Sequence, residues 1–327
     1  MSSMDKSSKI LITGGQGWIG IKLGEHLAEH GFQNVYSLAG SQSGIDLGDD
    51  AVIAWSFDIN PDIVVHLATR PPTQENSLYY PASMMYENIF VTSKVMEEAR
   101  LSGCKKFIMA WDSCCYPEHQ ILPHKEEDLW EGAPYWNQRY YGNIAKAAME
   151  MNMAYSTQYQ DWTGVNLIFP EVYGTGSGFN PRKNKIVESV VTNIATAHKY
   201  EYHLPVEGSS KCTRDFINVK DAVRALRYAI EYADEPDTYN ASQGQDYHVK
   251  KLHDMVSELY GYDPNNILWT EKTLDIKQRT FLDISKIKRE LGWSPTTTME
   301  DGLKELVEWH KENLKVTIVD PSSILMS

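Results

Sequence analysis

Two alternating rhythms of apolar residues run through the first half of the chain. Lys9–Thr13 is a short, nearly continuous apolar run and predicts a strand. The stretch GWIGIKLGEHLAEHG that follows repeats apolar positions every three to four residues and stops at glycine, which predicts an amphipathic helix. Asn34–Leu38 predicts a second strand. Asp62–Ala68, DIVVHLA, predicts another, and its unbroken apolar character suits a strand covered on both faces. Ala82–Leu101 predicts a helix, Lys105–Trp111 a strand, Arg139–Gln158 a long helix and Gly164–Pro170 a strand. Such alternation predicts a parallel sheet with right-handed crossovers.

After Pro170 the rhythm loosens. EVYGTGSGFNPRKNK is rich in Gly, Pro and Asn and predicts a loop, with a helix at Ile186–His198 beyond it. RDFINVKDAVRALRYAIEYA reads as a strand leading into a helix, and YNASQGQDYHVKKLHDMVSELYG as the same pair again. The second half therefore predicts a smaller lobe, with the chain returning once to the main sheet around Phe216–Tyr232. No internal repeat or low-complexity block interrupts this pattern.

Composition narrows the function. The 327 residues are 42% hydrophobic and 23% charged, as expected of a globular protein with a large core. A formal net charge of −13 argues against binding nucleic acid or an anionic membrane surface. The four cysteines, Cys104, Cys114, Cys115 and Cys212, form no CxxC pair, so neither a metal site nor a disulfide framework is expected. The polar start MSSMDKSSKI lacks a secretion signal, and no apolar run nears the ~20 residues that span a bilayer. These features predict a cytoplasmic chain with reduced thiols and with flexible termini at residues 1–7 and 315–327.

The first candidate chemistry is a phosphate cradle. In ILITGGQGWIG, Gly14, Gly17 and Gly20 stand where the first strand turns into the first helix. Glycines there let backbone approach a pyrophosphate, and the helix N-terminus offers N–H donors and a positive dipole. The end of the second strand, VYSLAGSQSG, offers neither an acid for ribose hydroxyls nor an arginine for a 2′-phosphate, so NAD and NADP both stay open. Asp46 in DLGD is either an adenine contact or a solvated turn.

Taken in order, TGGQGWIG, DIVVHLA, Asn88, SCCYP, the helix carrying Lys146, PEVYG, RDFINVKDA and FLDISKIKRELGWSPTTTMEDGLKE resemble the extended short-chain dehydrogenase/reductases, the NAD-dependent epimerase/dehydratase family. SCCYPEHQILPHKEEDLWEG and GFNPRKNKIV are most similar to its GDP-L-fucose synthase-like members, which are 4-keto-sugar epimerase/reductases. The resemblance covers roughly residues 8–312. It implies an α/β fold, a Rossmann-type doubly wound parallel sheet with a smaller mixed α/β C-terminal substrate lobe. The cofactor domain would be residues 8–170 plus about 214–243, and the nucleotide-sugar lobe 171–213 and 244–314. The resemblance further implies NAD or NADP held by Gly14, Gln16, Gly17, Trp18, Ile19, Gly20, Asp46, Leu47, Leu67, Ala68, Lys146, Pro170 and Val172. It implies a nucleotide-diphospho-sugar met by Glu171, Asn180, Lys185, Arg214 and Arg279, and a homodimer packed through Ala82–Leu101 and Arg139–Gln158. An ion pair of Arg214 with Asp215 or Asp221 is the structural alternative to its diphosphate role.

The resemblance also implies a Tyr-x-x-x-Lys pair and a serine or threonine four residues before the tyrosine of SCCYP. Here the chain departs. Lys146 is present, but the tyrosine position holds Gly142, with Tyr141 one place early, about 100° around a helix of 3.6 residues per turn. The serine position holds Asp112, with Ser113 beside it. A helix bulge would bring Tyr141 back into line, and a tuned carboxylate at 112 would serve as a base. An epimerisation pair matches Cys114 and Lys185, read alternatively as a small core residue and a solvated loop charge. His119 is expected to be a solvated loop residue. The catalytic candidates are therefore Asp112, Ser113, Cys114, Tyr141, Lys146 and Lys185. The reading is an NAD(P)-dependent nucleotide-sugar epimerase/reductase with a re-purposed site. Its alternatives are a catalytically silent binding protein and a dehydratase or decarboxylase of the same superfamily.

Overall fold

In the computed structural model the described residues are 5–38, 47–70, 79–118, 121–178, 185–270 and 279–313. They form two compact units.

The first unit comprises Met1–Val172, Thr213–Tyr247 and Asp275–Thr296. Its centre is a six-stranded sheet of β1 (Lys9–Thr13), β2 (Asn34–Leu38), β3 (Ile63–His66), β4 (Lys106–Asp112), β5 (Thr163–Phe169) and β9 (Asp237–Asn240), in the order β2-β1-β3-β4-β5-β9. Every pairing is parallel. Successive residues of a strand point to opposite faces, and both faces here are dry. Ile10, Ile12, Ile63, Val65 and Ile108 join Leu23 and Leu27 of α1 (Trp18–Glu29) and Leu226 and Ile230 of α6 (Val219–Tyr232) in one core. Leu11, Val64, Phe107 and Met109 join Met96 and Ala99 of α3 (Pro81–Leu101) and Ile144 and Met149 of α4 (Arg139–Gln158) in the other.

Two sequence expectations change. The strand that returns to the sheet is β9, not the segment beginning at Phe216. Thr213–Asn218 forms β8, which lies between β6 (Glu171–Tyr173) and β10 (Asp246–His248) in a three-stranded sheet. A short helix α2 (Asp50–Phe57) also follows the DLGD segment. Asp49 caps it by accepting the Ala51 N–H at 2.8 Å, which accounts for one of the acids read as a turn.

The second unit comprises Tyr173–Cys212, His248–Leu274 and Thr297–Ser327. It contains α5 (Ile186–Tyr200), α7 (Val249–Tyr260), α9 (Met299–Asn313) and a parallel pair of short strands, β7 (Leu204–Val206) and β11 (Ile267–Trp269). Helix α7 ends at Gly261, whose φ of +73° is the left-handed conformation that favours glycine. The buried Tyr262 links the strand pair to the end of α5, its hydroxyl donating to the Tyr202 carbonyl at 2.8 Å. A short helix, α8 (Ser285–Glu290), belongs to the first unit.

Candidate active site

The cradle forms at the junction of β1 and α1. Gly14 has φ +69°, and a Cβ on it would lie 2.9 Å from the backbone nitrogen of Ala68. A Cβ on Gly20 would lie 2.5 Å from the Gly14 carbonyl oxygen. Side chains are therefore excluded at both positions, and the turn packs backbone to backbone. Gly17 caps α1 without any side chain, and the first turn carries no acid. The exposed Gln16 and Gly17 and the half-buried Trp18 and Ile19 present that turn to solvent. Such an end, with no side-chain cap at Gly17 and no acid in its first turn, fits a pyrophosphate. Leu47 is buried, Leu67 and Ala68 are half-buried, and Pro170, just after β5, and Val172 of β6 are buried. Asp46 lies outside the described residues.

Beneath the cradle, Thr13 Oγ1 hydrogen-bonds His66 Nδ1 at 2.7 Å, and His66 Nε2 meets Thr92 Oγ1 at 3.2 Å. Burial lowers the His66 pKa to about 4, so the ring is neutral and bonds β1, β3 and α3 together without a charge. Asn88, also buried, accepts the Arg70 N–H at 2.8 Å and donates to the Arg70 carbonyl at 3.1 Å. Both amide groups of its side chain thus fix the backbone just beyond β3.

The chemistry-bearing turn leaves β4. Asp112 ends the strand, half-buried, and its Oδ1 accepts the Cys114 N–H at 2.8 Å, capping the short 3-10 turn Ser113–Cys115. Ser113 is half-buried, and its carbonyl accepts the Tyr116 N–H at 3.1 Å. Tyr116 anchors the turn by donating to Asn240 Oδ1 at 2.8 Å, and its ring stacks on His124 at 4.8 Å. The Cys114 thiol is held well above its ordinary range, first by burial and then by the neighbouring Asp112 carboxylate. It is therefore a protonated thiol at neutral pH, a donor and not a nucleophile.

Helix α4 bears on the tyrosine that the family resemblance places at position 142. It is regular α-helix from Arg139 to Gln158, so no bulge rotates Tyr141 into the Gly142 position. Nor is there room at 142: a Cβ there would lie 2.7 Å from the Cys114 carbonyl oxygen, 2.7 Å from Pro134 Cβ and 2.9 Å from Pro134 Cγ. Tyr141 nonetheless points inward. It is 5% exposed, and its ring lies 5.6 Å from that of Trp111. Burial raises its pKa first, Cys114 and Asp112 add to the rise, and the Thr69 side chain offsets part of it. Lys146 is buried, donates to the Gly132 carbonyl at 2.7 Å and sits 5.6 Å from the centre of the Trp130 ring, its pKa lowered by burial.

Asp112, Cys114 and Tyr141 thus come together in the first unit, with Ser113 in the same turn and Lys146 further along the same helix as Tyr141. Arg214 in β8 donates to the Thr213 carbonyl at 2.7 Å, and Glu171 is half-buried in β6. The Arg279 fork engages Asp246, with Nε to Oδ2 at 2.7 Å and Nη2 to Oδ1 at 3.2 Å. Lys185 belongs to the second unit, where it is exposed immediately before α5. Asn180 and His119 lie outside the described residues. Sequence reasoning missed Pro134, which packs against Gly142.

Residues 10–242 match the profile of the NAD dependent epimerase/dehydratase family. The chain belongs to that family. Membership carries NAD or NADP as the cofactor, and the glycine turn and open first turn of α1 fit it. Among curated relatives, a putative GDP-L-fucose synthase 2 of Arabidopsis thaliana is 26% identical over 314 residues, covering 95% of this chain and 94% of its own. Among solved structures, a GDP-mannoheptose C4 reductase from Campylobacter jejuni with NADP bound is 25% identical at a TM-score of 0.83, covering 94% of this chain and 99% of that one. A GDP-L-fucose synthetase from Naegleria fowleri shares the fold at a TM-score of 0.85 and 20% identity, covering 95% of each chain. Among the described residues no helix is long and apolar enough to cross a membrane.

Proposed function

We propose that this family member is an NAD(P)-dependent epimerase/reductase of a nucleotide-diphospho-4-keto-sugar, a GDP-sugar first among the candidates. One observation carries the reading. Although Gly142 is closed to any side chain by the Cys114 carbonyl and Pro134, the buried Tyr141 ring packs 5.6 Å from that of Trp111, the residue before Asp112 at the end of β4. The names of the similar proteins supply the GDP-sugar class.

The residues divide by role. Tyr141 and Cys114, both pushed toward their protonated forms, are the acids. Asp112 is the base that removes a proton beside the sugar carbonyl. Gly14, Gly17, Gly20 and the first turn of α1 hold the pyrophosphate of the dinucleotide, and Lys146 meets its nicotinamide ribose. When bound, the nicotinamide supplies hydride chemistry. Arg214 meets the substrate diphosphate, as a planar, permanently charged fork suits that anion. The exposed Tyr86 and Ile89 of α3 and Tyr140 of α4 support a homodimer through these helices.

The test is turnover. Purified protein is incubated with NADPH or NADH in deuterated buffer with 4-keto forms of GDP-, UDP-, CDP- and dTDP-sugars. Cofactor oxidation and product mass are then followed. A reduced product, or deuterium retained beside the carbonyl, supports the proposal. Loss of water or carbon dioxide makes the chain a dehydratase or decarboxylase. Dinucleotide binding with no turnover makes it a binding protein and overturns the proposal.

A further inference from the structure

The last turn of α1 gathers three side chains that the cofactor site does not use. His26, Glu29 and His30 stand at i, i+3 and i+4, so they share one face of the helix. One ligand atom from each lies within 4.8 Å of those of the other two. The two imidazole rings are 4.1 Å apart between centroids and tilted by 44°. A tetrahedral ion with donors at about 2.0–2.1 Å holds neighbouring donors about 3.3 Å apart. The three donors therefore need to close by about 1.5 Å at most, within reach of side-chain rotation at the exposed Glu29 and His30.

The state of the rings suits a cation. His30 Nδ1 lies 2.8 Å from the His26 carbonyl oxygen, which only accepts. In the neutral ring Nδ1 therefore carries the proton and Nε2 the lone pair, the arrangement by which backbone carbonyls orient ligand histidines. His26 is half-buried, and its pKa is lowered to about 4, first by burial, then by His30 and by Arg227 and Arg224 of α6, with Glu231 opposing. Its ring is neutral at physiological pH, as a metal ligand must be. The cluster also stands at the carbonyl end of α1, where the helix dipole favours positive charge.

Arg227 is the competing cation. Its Nε donates to His26 Nε2 at 3.2 Å, and its Nη1 pairs with Glu231, which Lys6 also meets. Whichever nitrogen of His26 an ion takes, Arg227 must release Nε2. That atom either becomes the ligand or receives the proton that leaves Nδ1. The guanidinium keeps Glu231 as its partner on release.

We propose that His26, Glu29 and His30 form a binding site for one divalent transition-metal ion, Zn²⁺ in the first place, filled as Arg227 releases His26. Two imidazoles and a carboxylate suit zinc, copper or nickel and not the oxygen-seeking Mg²⁺ or Ca²⁺. Water completes the tetrahedron. The ion's part is structural. It ties the last turn of the helix whose first turn forms the cradle, and by preferring the folded chain it raises stability through mass action.

The experiment uses the full chain without a histidine tag, stripped with EDTA. Zn²⁺ and Mg²⁺ are titrated by calorimetry into wild type, His26→Ala, Glu29→Gln, His30→Ala and Arg227→Met. His198→Ala, which removes an exposed histidine of α5, is the control. Wild type should bind one equivalent of Zn²⁺ and no Mg²⁺. His26→Ala and His30→Ala should each weaken Zn²⁺ binding by at least about 10²-fold, since losing a group that merely supports a ligand already costs about 10–100-fold. Glu29→Gln should weaken it about tenfold, and Arg227→Met should tighten it about tenfold by removing a like charge at close range. His198→Ala should change nothing. Zn²⁺ should shift the imidazole ¹⁵N resonances of His26 and His30, assigned by their loss in the two alanine variants. It should raise the Tm of wild type but not of His30→Ala. NADPH affinity should be the same in every variant, which separates loss of the ion site from loss of the fold. Zn²⁺ binding no tighter than millimolar, or undiminished in His26→Ala and His30→Ala, overturns the site. Equal affinity in wild type and Arg227→Met overturns the part given to Arg227.

Discussion

Replacing Gly142 with alanine should destabilise this protein, contrary to what Gly→Ala does in most helices. Helix propensity alone favours alanine by up to ~1 kcal/mol in a helix interior. Against it stands the contact a Cβ would make, 2.7 Å from the Cys114 carbonyl oxygen and 2.7 Å from Pro134 Cβ, where 3.4 Å begins ordinary contact. Neither neighbour is a flexible end. The Cys114 backbone is fixed through its own N–H by Asp112, and Pro134 is bridged to Pro117 across the loop. Overpacking a tight site costs about 1–3 kcal/mol. The net is a loss of about 1–2 kcal/mol for Gly142→Ala, because position 142 lies in the first turns of α4, where the propensity gain is smallest. Urea denaturation should show a lower midpoint at an unchanged slope. Relief of the clash must move the Cys114 turn by some tenths of an ångström, so turnover should fall about tenfold, within the loss of about 10²-fold that a 1 Å misplacement can cause. A variant as stable as wild type, or more so, refutes the claim that Cys114 and Pro134 fill the place of the missing tyrosine.

Asp112→Ala should lose both turnover and about 1 kcal/mol of stability as a cap, whereas Asp112→Asn should keep the cap and lose only turnover; full activity in the asparagine variant would reduce Asp112 to a capping residue. Gly20→Ala, whose Cβ meets the Gly14 carbonyl at 2.5 Å, should abolish NADPH binding by calorimetry, and retained binding would place the dinucleotide elsewhere. For His66 the folded pKa of about 4 lies below the ordinary 6.5, so its neutral ring contributes stability fully above pH 6.5. That contribution, roughly 3 kcal/mol, is lost as pH falls from 6.5 to 4. The His66 imidazole signals should show a neutral ring down to pH 5, and a midpoint near 6.5 would contradict its burial.

The sheet was legible because its strands announce themselves. Ile63–His66 is buried on both faces and reads as an unbroken apolar run, and each glycine of the cradle sits where backbone must touch backbone. Helix α2 escaped because its eight residues are too few to display a period and its cap, Asp49, belongs to an acidic cluster that also suits a loop. The active site was legible only as a list. Lys146 and the absence of a tyrosine at 142 follow from spacing. That Tyr141 still turns inward depends on Trp111, which arrives from β4 and shares no local pattern with it. Pro134 shaped the site from a loop whose path no periodicity describes. The place of β9 in the sheet was missed for a similar reason: DTYN is four residues long, and its register is set by β5.

The bond from the Tyr116 hydroxyl to Asn240 joins residues 124 positions apart. Closing a span of that length costs about 4 kcal/mol of chain entropy, so the turn beside Asp112 acquires its anchor only after β9 has docked. A nascent polypeptide whose residue 240 has not yet emerged can close the glycine turn against Ala68, yet it lacks the means to lock the turn beside Asp112. Cofactor affinity would then be acquired earlier in biosynthesis than catalytic competence.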